Sequence, residues 1–339
     1  MLKQTDIYRA GTDGCHTYRI PAMVVSKKGT ILAFCEARID SARDYGDIDL
    51  ALKRSFDNGE SWTDMQIIWD DGENTIGNPC PVVDQDTGTI WLPFCRNSDR
   101  VFVTRSDDEG TTWAEPVEIT KDVKRPDWKW YATGPTHGVQ LKSGRLLIPC
   151  DHSNSTAPGH QYRSHVIYSD DHGATWKLGG VLRDRVNECV TVETVGGSLY
   201  INMRSYHEKN RRACAWSEDG GETWSEIKLD ETLVEPVCQA SMIRYTEEIH
   251  HDKNRVLFSN PATTERKMMT IRISRDECKT WDAGKVLYEG PSAYSDLTIA
   301  PDMTICCLYE RGAEHPYEKI TFARFTLEWL TDGTDSLQK

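Results

Sequence analysis

Six short apolar runs in this chain each end in a polar or charged residue: Arg38, Arg96, Asp151, Arg204, Asn260 and Glu310. If equivalent strand ends converge, these side chains meet although they lie far apart in sequence. With a net charge of -13 there is no surplus of basic residues to form a broad cationic face. An anionic ligand would then be met locally, by single arginines, and nucleic acid is an unexpected partner. A guanidinium suits a carboxylate because it offers paired, permanently charged donors. The loop EARIDSARDYGDIDL crowds Asp40, Asp44, Asp47 and Asp49 together. Neighbouring carboxylates raise one another's pKa, which helps keep one of them protonated and able to act as an acid.

Other reactive residue types form no such set. The 11 cysteines include no C-x-x-C pair, and several sit in apolar runs, as Cys35, Cys95, Cys150, Cys306 and Cys307 do. They read as small buried hydrophobes in a reducing compartment rather than as a disulfide framework. The histidines of HSNSTAPGHQYRSH (152–165) lack ligand spacing, so no metal and no cofactor is expected, and that segment reads as a mobile polar loop. Trp128, Trp130 and Tyr131 cluster in RPDWKWYATGP, either to contact a ligand or to fill the edge of a sheet.

The elements that position these residues are repetitive. A motif S-x-D-x-G-x-T-W or a close variant occurs as SFDNGESW (55–62), SDDEGTTW (106–113), SDDHGATW (169–176), SEDGGETW (217–224) and the degraded SRDECKTW (274–281). Its Asp caps backbone amides and its Gly supplies positive φ, giving a tight turn under which the Trp packs. These turns alternate with the apolar runs, whose anchors Gly29, Gly88, Gly144, Gly197, Asn254 and Asp302 are 48 to 59 residues apart. Six units of this length, built of short strands and turns, predict an all-β, six-bladed β-propeller occupying residues 1–339 as one domain. A double β-sandwich gives no reason to repeat one turn five times. No stretch approaches the ~20 apolar residues of a membrane span. The N-terminus has no signal-peptide pattern, so a cytoplasmic location is expected, with secretion open if a leader was removed.

With Tyr18-Arg19-Ile20-Pro21 ahead of the five Asp boxes, the chain resembles the bacterial and animal sialidases from about Arg19 to Glu310. The resemblance implies hydrolysis of a terminal α-linked sialic acid from a sialylated oligosaccharide or glycoconjugate. It places the substrate carboxylate among Arg19, Arg204 and Arg266, with Glu310 steadying Arg19. Tyr294 in SAYSDL falls at the nucleophile position. Glu188 in VNECVTVE falls at that of its base, in preference to Glu193. A neutral phenol avoids bringing an anion against a carbon that already bears a carboxylate, provided a base takes its proton. The general acid falls on Asp44, favoured over Asp47, while Glu36 and Arg38 match contacts to ring hydroxyls. Two other outcomes stay open: sialyl transfer or release of an anhydro product, and a propeller that only binds sialic acid.

Overall fold

The computed structural model describes residues 1–157, 161–183 and 185–338. The chain is an all-β propeller in which the two short helices, Thr120–Val123 and Leu327–Leu330, are single turns. Four antiparallel sheets of four or five strands follow one another along the chain. A seven-stranded sheet ends it, and here the long strand Lys285–Ile299 pairs with Lys267–Ser274 through its first half and with Ile305–Arg311 through its second. The first strand, Leu2–Arg9, pairs with the last, Lys319–Phe325, so that the two ends of the chain share one sheet.

Sheets covered on both faces need strands that are apolar throughout rather than alternating. Ile31–Arg38 and Leu146–Ser153 are buried along their whole length, whereas the outermost strand Val117–Glu118 is two residues long and exposed. The apolar residues gather where consecutive sheets face one another. Leu32, Leu50, Ile90 and Phe94 form one such cluster, Val82, Trp91, Leu146 and Ile167 the next, and Leu147, Val166, Leu199 and Ala213 a third. The series continues through Val190, Phe258, Leu297 and Phe325, and returns to the first sheet through Ile320, Phe322, Ile31 and Met23. All 11 cysteines are free, and ten of them are buried in this packing.

The repeated turns are held by a common set of hydrogen bonds. In the first, Ser55 Oγ accepts from the Gly59 amide (2.8 Å), and Asp57 accepts from the Ser61 amide (2.9 Å) and hydroxyl (2.6 Å). Gly59 has φ +83°, and a Cβ there would lie 2.2 Å from the Phe322 ring. The degraded copy keeps the bonds from Thr280 to Asp276 but places Cys278 at the glycine position with φ +65°. Left-handed backbone at a non-glycine residue costs on the order of 1 kcal/mol or more.

Segment 152–165 departs from the expected polar loop, of which residues 158–160 lie outside the described residues. His152 and His165 sit on the paired strands Leu146–Ser153 and Tyr162–Ser169, fully buried, with their Nδ1 atoms 3.0 Å apart. Trp128 stacks on His152 at 3.5 Å, and Tyr131 is equally buried, so these two aromatics are core and only Trp130 reaches a surface. Burial, with Arg163 and Arg125 nearby, pushes the His152 pKa down to about 3, and burial likewise keeps His165 neutral. The unfolded chain takes up the His152 proton near pH 6.5 and the folded chain only near pH 3, so stability is lost as pH falls through that window. At pH 4.5 the expected loss from His152 alone is ~2–3 kcal/mol relative to pH 7. Denaturant titrations at both pH values check it. His152→Phe, which keeps the stacking on Trp128, should flatten the slope, and an unchanged slope would contradict this account.

Candidate active site

The site assembles at one end of the innermost strands. Strand Thr17–Val25 carries Arg19, and a register shift between Arg19 and Ala22 puts Ile20 at φ +59°, an unfavourable angle for a β-branched residue. What holds it is Glu310, fully buried on Ile305–Arg311 and 290 residues away in sequence. Its carboxylate accepts two bonds from the Arg19 guanidinium (3.0 and 3.2 Å), one from the Ile20 amide (3.0 Å) and one from the Tyr294 amide (3.0 Å). One buried acid therefore orients both the arginine and the backbone of the tyrosine.

Tyr294 is the hub. Its hydroxyl donates to Glu188 Oε1, while Arg204 Nη1 lies 3.2 Å from the phenol oxygen and 2.9 Å from Glu188 Oε2. The Arg19 and Arg266 guanidiniums lie 5.0 and 5.7 Å from the centre of the Tyr294 ring. Arg19, Arg204 and Arg266 thus converge on one phenol. Burial and the charge of Glu188 push the Tyr294 pKa well above its usual value, with Arg204 and Arg19 pulling the other way. The resting group is a neutral phenol hydrogen-bonded to a carboxylate. Glu193 is excluded from this arrangement: it stands five residues further along the same strand, on the order of 16 Å away, and binds the Lys142 amide at the opposite mouth of the central channel.

The acidic loop supplies Asp44, whose Oδ1 lies 2.8 Å from Arg38 Nη1 and 3.5 Å from Arg19 Nη1. Asp47 lies among acids instead: desolvation and the charges of Asp40, Asp70 and Glu73 raise its pKa. The mutual repulsion expected to keep one of the four acids protonated does not act on Asp44. Desolvation works to raise its pKa, but Arg38 and Arg19 outweigh that and hold it below the usual carboxylate value. Repulsion falls instead on Asp49, pushed up to about 7 by burial and by Asp70 and Asp47. Proximity in sequence misled because the loop turns Asp44 away from the other acids. Arg38 and Glu36 are both buried and ion-paired (2.6 Å), and Arg38 also donates to the Ala42 carbonyl (2.7 Å). Together Arg19, Arg38, Arg204 and Arg266 face Glu36, Asp44, Glu188 and Glu310, so four cations meet four anions before any ligand enters.

A family model described as a BNR repeat-like domain matches residues 29–307. A sialidase of Bacteroides fragilis is 31% identical over 91% of this chain and 62% of its own length. An exo-alpha-sialidase of Arthroderma benhamiae is 30% identical over 95% of this chain and 86% of its own. The chain belongs to the sialidase family. A solved structure of the Hadza microbial sialidase Hz136 superimposes with a TM-score of 0.88 at 33% identity, covering 96% of this chain and 69% of that one. The chain thus spans less than two thirds of the Bacteroides sialidase.

In this sialidase-family chain, several neighbours of the site carry no motif. Tyr317 lies with its ring 3.8 Å from the Arg19 guanidinium and its hydroxyl accepts from Arg266, so it separates two of the three arginines. Cys238 packs against Tyr294 with Ile20 and Ala293. Asp151, one of the six strand-end residues, is fully buried beside this cluster and accepts from Asn187 (2.6 Å), the residue before Glu188. Nothing in the local sequence marks Tyr317 or Cys238, whose importance arises from packing alone. Outside the site, Asp84, Asp86 and His172 approach one another, and hydrogen bonds from Thr87 and Gln140 engage the two aspartates.

Arg266 contributes to this cluster from a hairpin end, its carbonyl accepting from the Ser292 amide (2.9 Å) and its guanidinium bonded to Tyr317. Arg266→Lys is expected to lower kcat/KM on sialyllactose by ~10-fold or more, ~1.4 kcal/mol or more of transition-state stabilisation, because lysine cannot offer a bidentate fork. Kinetics near wild type would remove Arg266 from the site.

Proposed function

We propose that the chain is a retaining exo-sialidase that hydrolyses terminal α-linked sialic acid from glycoconjugates through a tyrosyl intermediate. The observation that carries this reading is the Tyr294–Glu188–Arg204 contact set, enclosed by Arg19 and Arg266. Sialic acid brings an ionised carboxylate on the carbon under attack, and the three arginines meet it. Tyr294 attacks as Glu188 takes its proton, and Asp44 protonates the departing oxygen. Water then displaces the tyrosine with Asp44 as base, so two displacements retain configuration. Asp44 is ionised in the empty pocket. A bound carboxylate offsets Arg19, and exclusion of water raises the cost of the aspartate's charge, so binding itself moves Asp44 towards its protonated form.

The same reading takes the architecture as six blades in one domain over residues 1–339, with the seven-stranded sheet as two blades sharing Lys285–Ile299. The run of inter-sheet clusters that ends where it began supports it. So does the opposite channel mouth, which draws Met23, Val82, His137, Thr191, Met242 and Thr298 from six successive segments. A proton NMR time course on sialyllactose tests the activity. Sialic acid should appear first as the α-anomer. A β-anomer would contradict the two-step mechanism, and a 2,7-anhydro product would replace hydrolysis by the intramolecular reaction.

A further inference from the structure

The loop that carries Asp44 has a second feature. Residues 42–46 are all exposed, yet both ends of the segment are pinned. Arg38 Nη1 donates to the Ala42 carbonyl (2.7 Å), and Thr75 Oγ1 accepts from the Gly46 amide (2.9 Å) and donates to the Gly46 carbonyl (3.0 Å). Between the pins, Asp44 turns inward to Arg38 and Arg19. Arg43 and Tyr45 flank Asp44 in the chain and meet each other, the guanidinium 5.8 Å from the ring centre. Tyr45 is 67% exposed, among the most exposed large apolar side chains of the described residues, and its hydroxyl makes no hydrogen bond there. An exposed aromatic ring on a clamped loop contributes nothing to the core. Its position follows from that of Asp44: a general acid sits on the side from which the leaving group departs, so the rim beside it is where the departing sugar lies.

We propose that Tyr45, assisted by Arg43, is the contact surface for the leaving-group sugar, making this loop both proton donor and determinant of aglycone preference. This rests on the assignment of Asp44 under Proposed function. A pyranose offers a C–H face that packs on an aromatic ring and a belt of hydroxyls that accept from a guanidinium. A neutral hexose next to the sialic acid fits both, and a single halide offers nothing to either.

The test compares sialyllactose with α-sialyl fluoride, which has the same sialic acid and no aglycone. Wild-type turnover of both substrates establishes the underlying activity, and turnover of neither would sink the sialidase reading itself. Given that activity, Tyr45→Ala should lower kcat/KM on sialyllactose ~5- to 10-fold and leave the fluoride within ~2-fold, while Tyr45→Phe, which keeps the ring, restores sialyllactose turnover. Lactose should also inhibit the alanine variant less than wild type. Equal effects of Tyr45→Ala on both substrates, or no effect on either, would overturn the proposal. A thermal melt unchanged by either substitution, as expected for so exposed a side chain, separates these outcomes from misfolding.

Discussion

Tyr294→Phe is expected to lower kcat/KM for sialyllactose on the order of 10³-fold or more while leaving the affinity for a non-hydrolysable sialic acid analogue nearly unchanged. The substitution removes one oxygen and keeps the ring packed on Ile20, Cys238 and Ala293, in reach of the Arg19 and Arg266 guanidiniums. Arg204 and Glu188 still form their 2.9 Å ion pair, so the charge balance that receives a carboxylate survives. What disappears is the atom proposed to bond to the anomeric carbon. Glu188→Gln should act in the same direction and less severely, since the phenol remains but its proton has no charged acceptor. Kinetics for Tyr294→Phe within ~10-fold of wild type would show that another group makes the bond. A large loss of analogue affinity would show that the hydroxyl serves binding instead.

The second large effect concerns Asp44. Asp44→Ala should reduce cleavage of sialyllactose by ~10²- to 10⁴-fold and spare an aryl sialoside such as the methylumbelliferyl derivative, because a phenolate departs with little protonation and a sugar alkoxide does not. The direction of the Asp44 shift adds a pH signature. Arg38 and Arg19 hold the free enzyme's carboxyl below its usual value, so wild-type kcat/KM on sialyllactose should fall as pH rises through the acidic range towards neutrality. Asp44→Ala should flatten that limb. Equal losses on both substrates would assign Asp44 a structural role, and a selective loss in Asp47→Ala would move the acid along the loop.

How much of this was legible in the sequence depended on whether the cause was local. The repeated turns were readable because Ser, Asp and Gly or its substitute satisfy one another within eight residues, as Ser55, Asp57 and Gly59 do. The apolar runs were readable because strands covered on both faces must be apolar throughout. The meeting of Arg19 with Glu310, or of Glu188 with Tyr294, joins positions 291 and 106 residues apart. No local pattern carries that information, and family resemblance supplied it. Neighbours in sequence are a poor guide in this loop: Asp44 stands close to Asp47 and Asp49 along the chain, but its ion-pair partners in space are Arg38 and Arg19. His152 and His165 read as polar loop residues because their burial depends on Trp128, contributed by another segment. Tyr317 carries no local signal for the same reason, since it meets Arg19 only in the folded chain.

The most direct test of the central claim is covalent capture. A 3-fluorosialyl fluoride should trap the intermediate, because the ring fluorine destabilises the oxocarbenium-like transition state of both steps while the fluoride leaving group keeps the first accessible. Intact-mass analysis should then show one added fluorosialyl group, and peptide mapping should place it on Tyr294 within residues 290–297. A label on a carboxylate such as Glu188, or turnover of the reagent with no adduct while sialyllactose is cleaved to the β-anomer, would contradict the account.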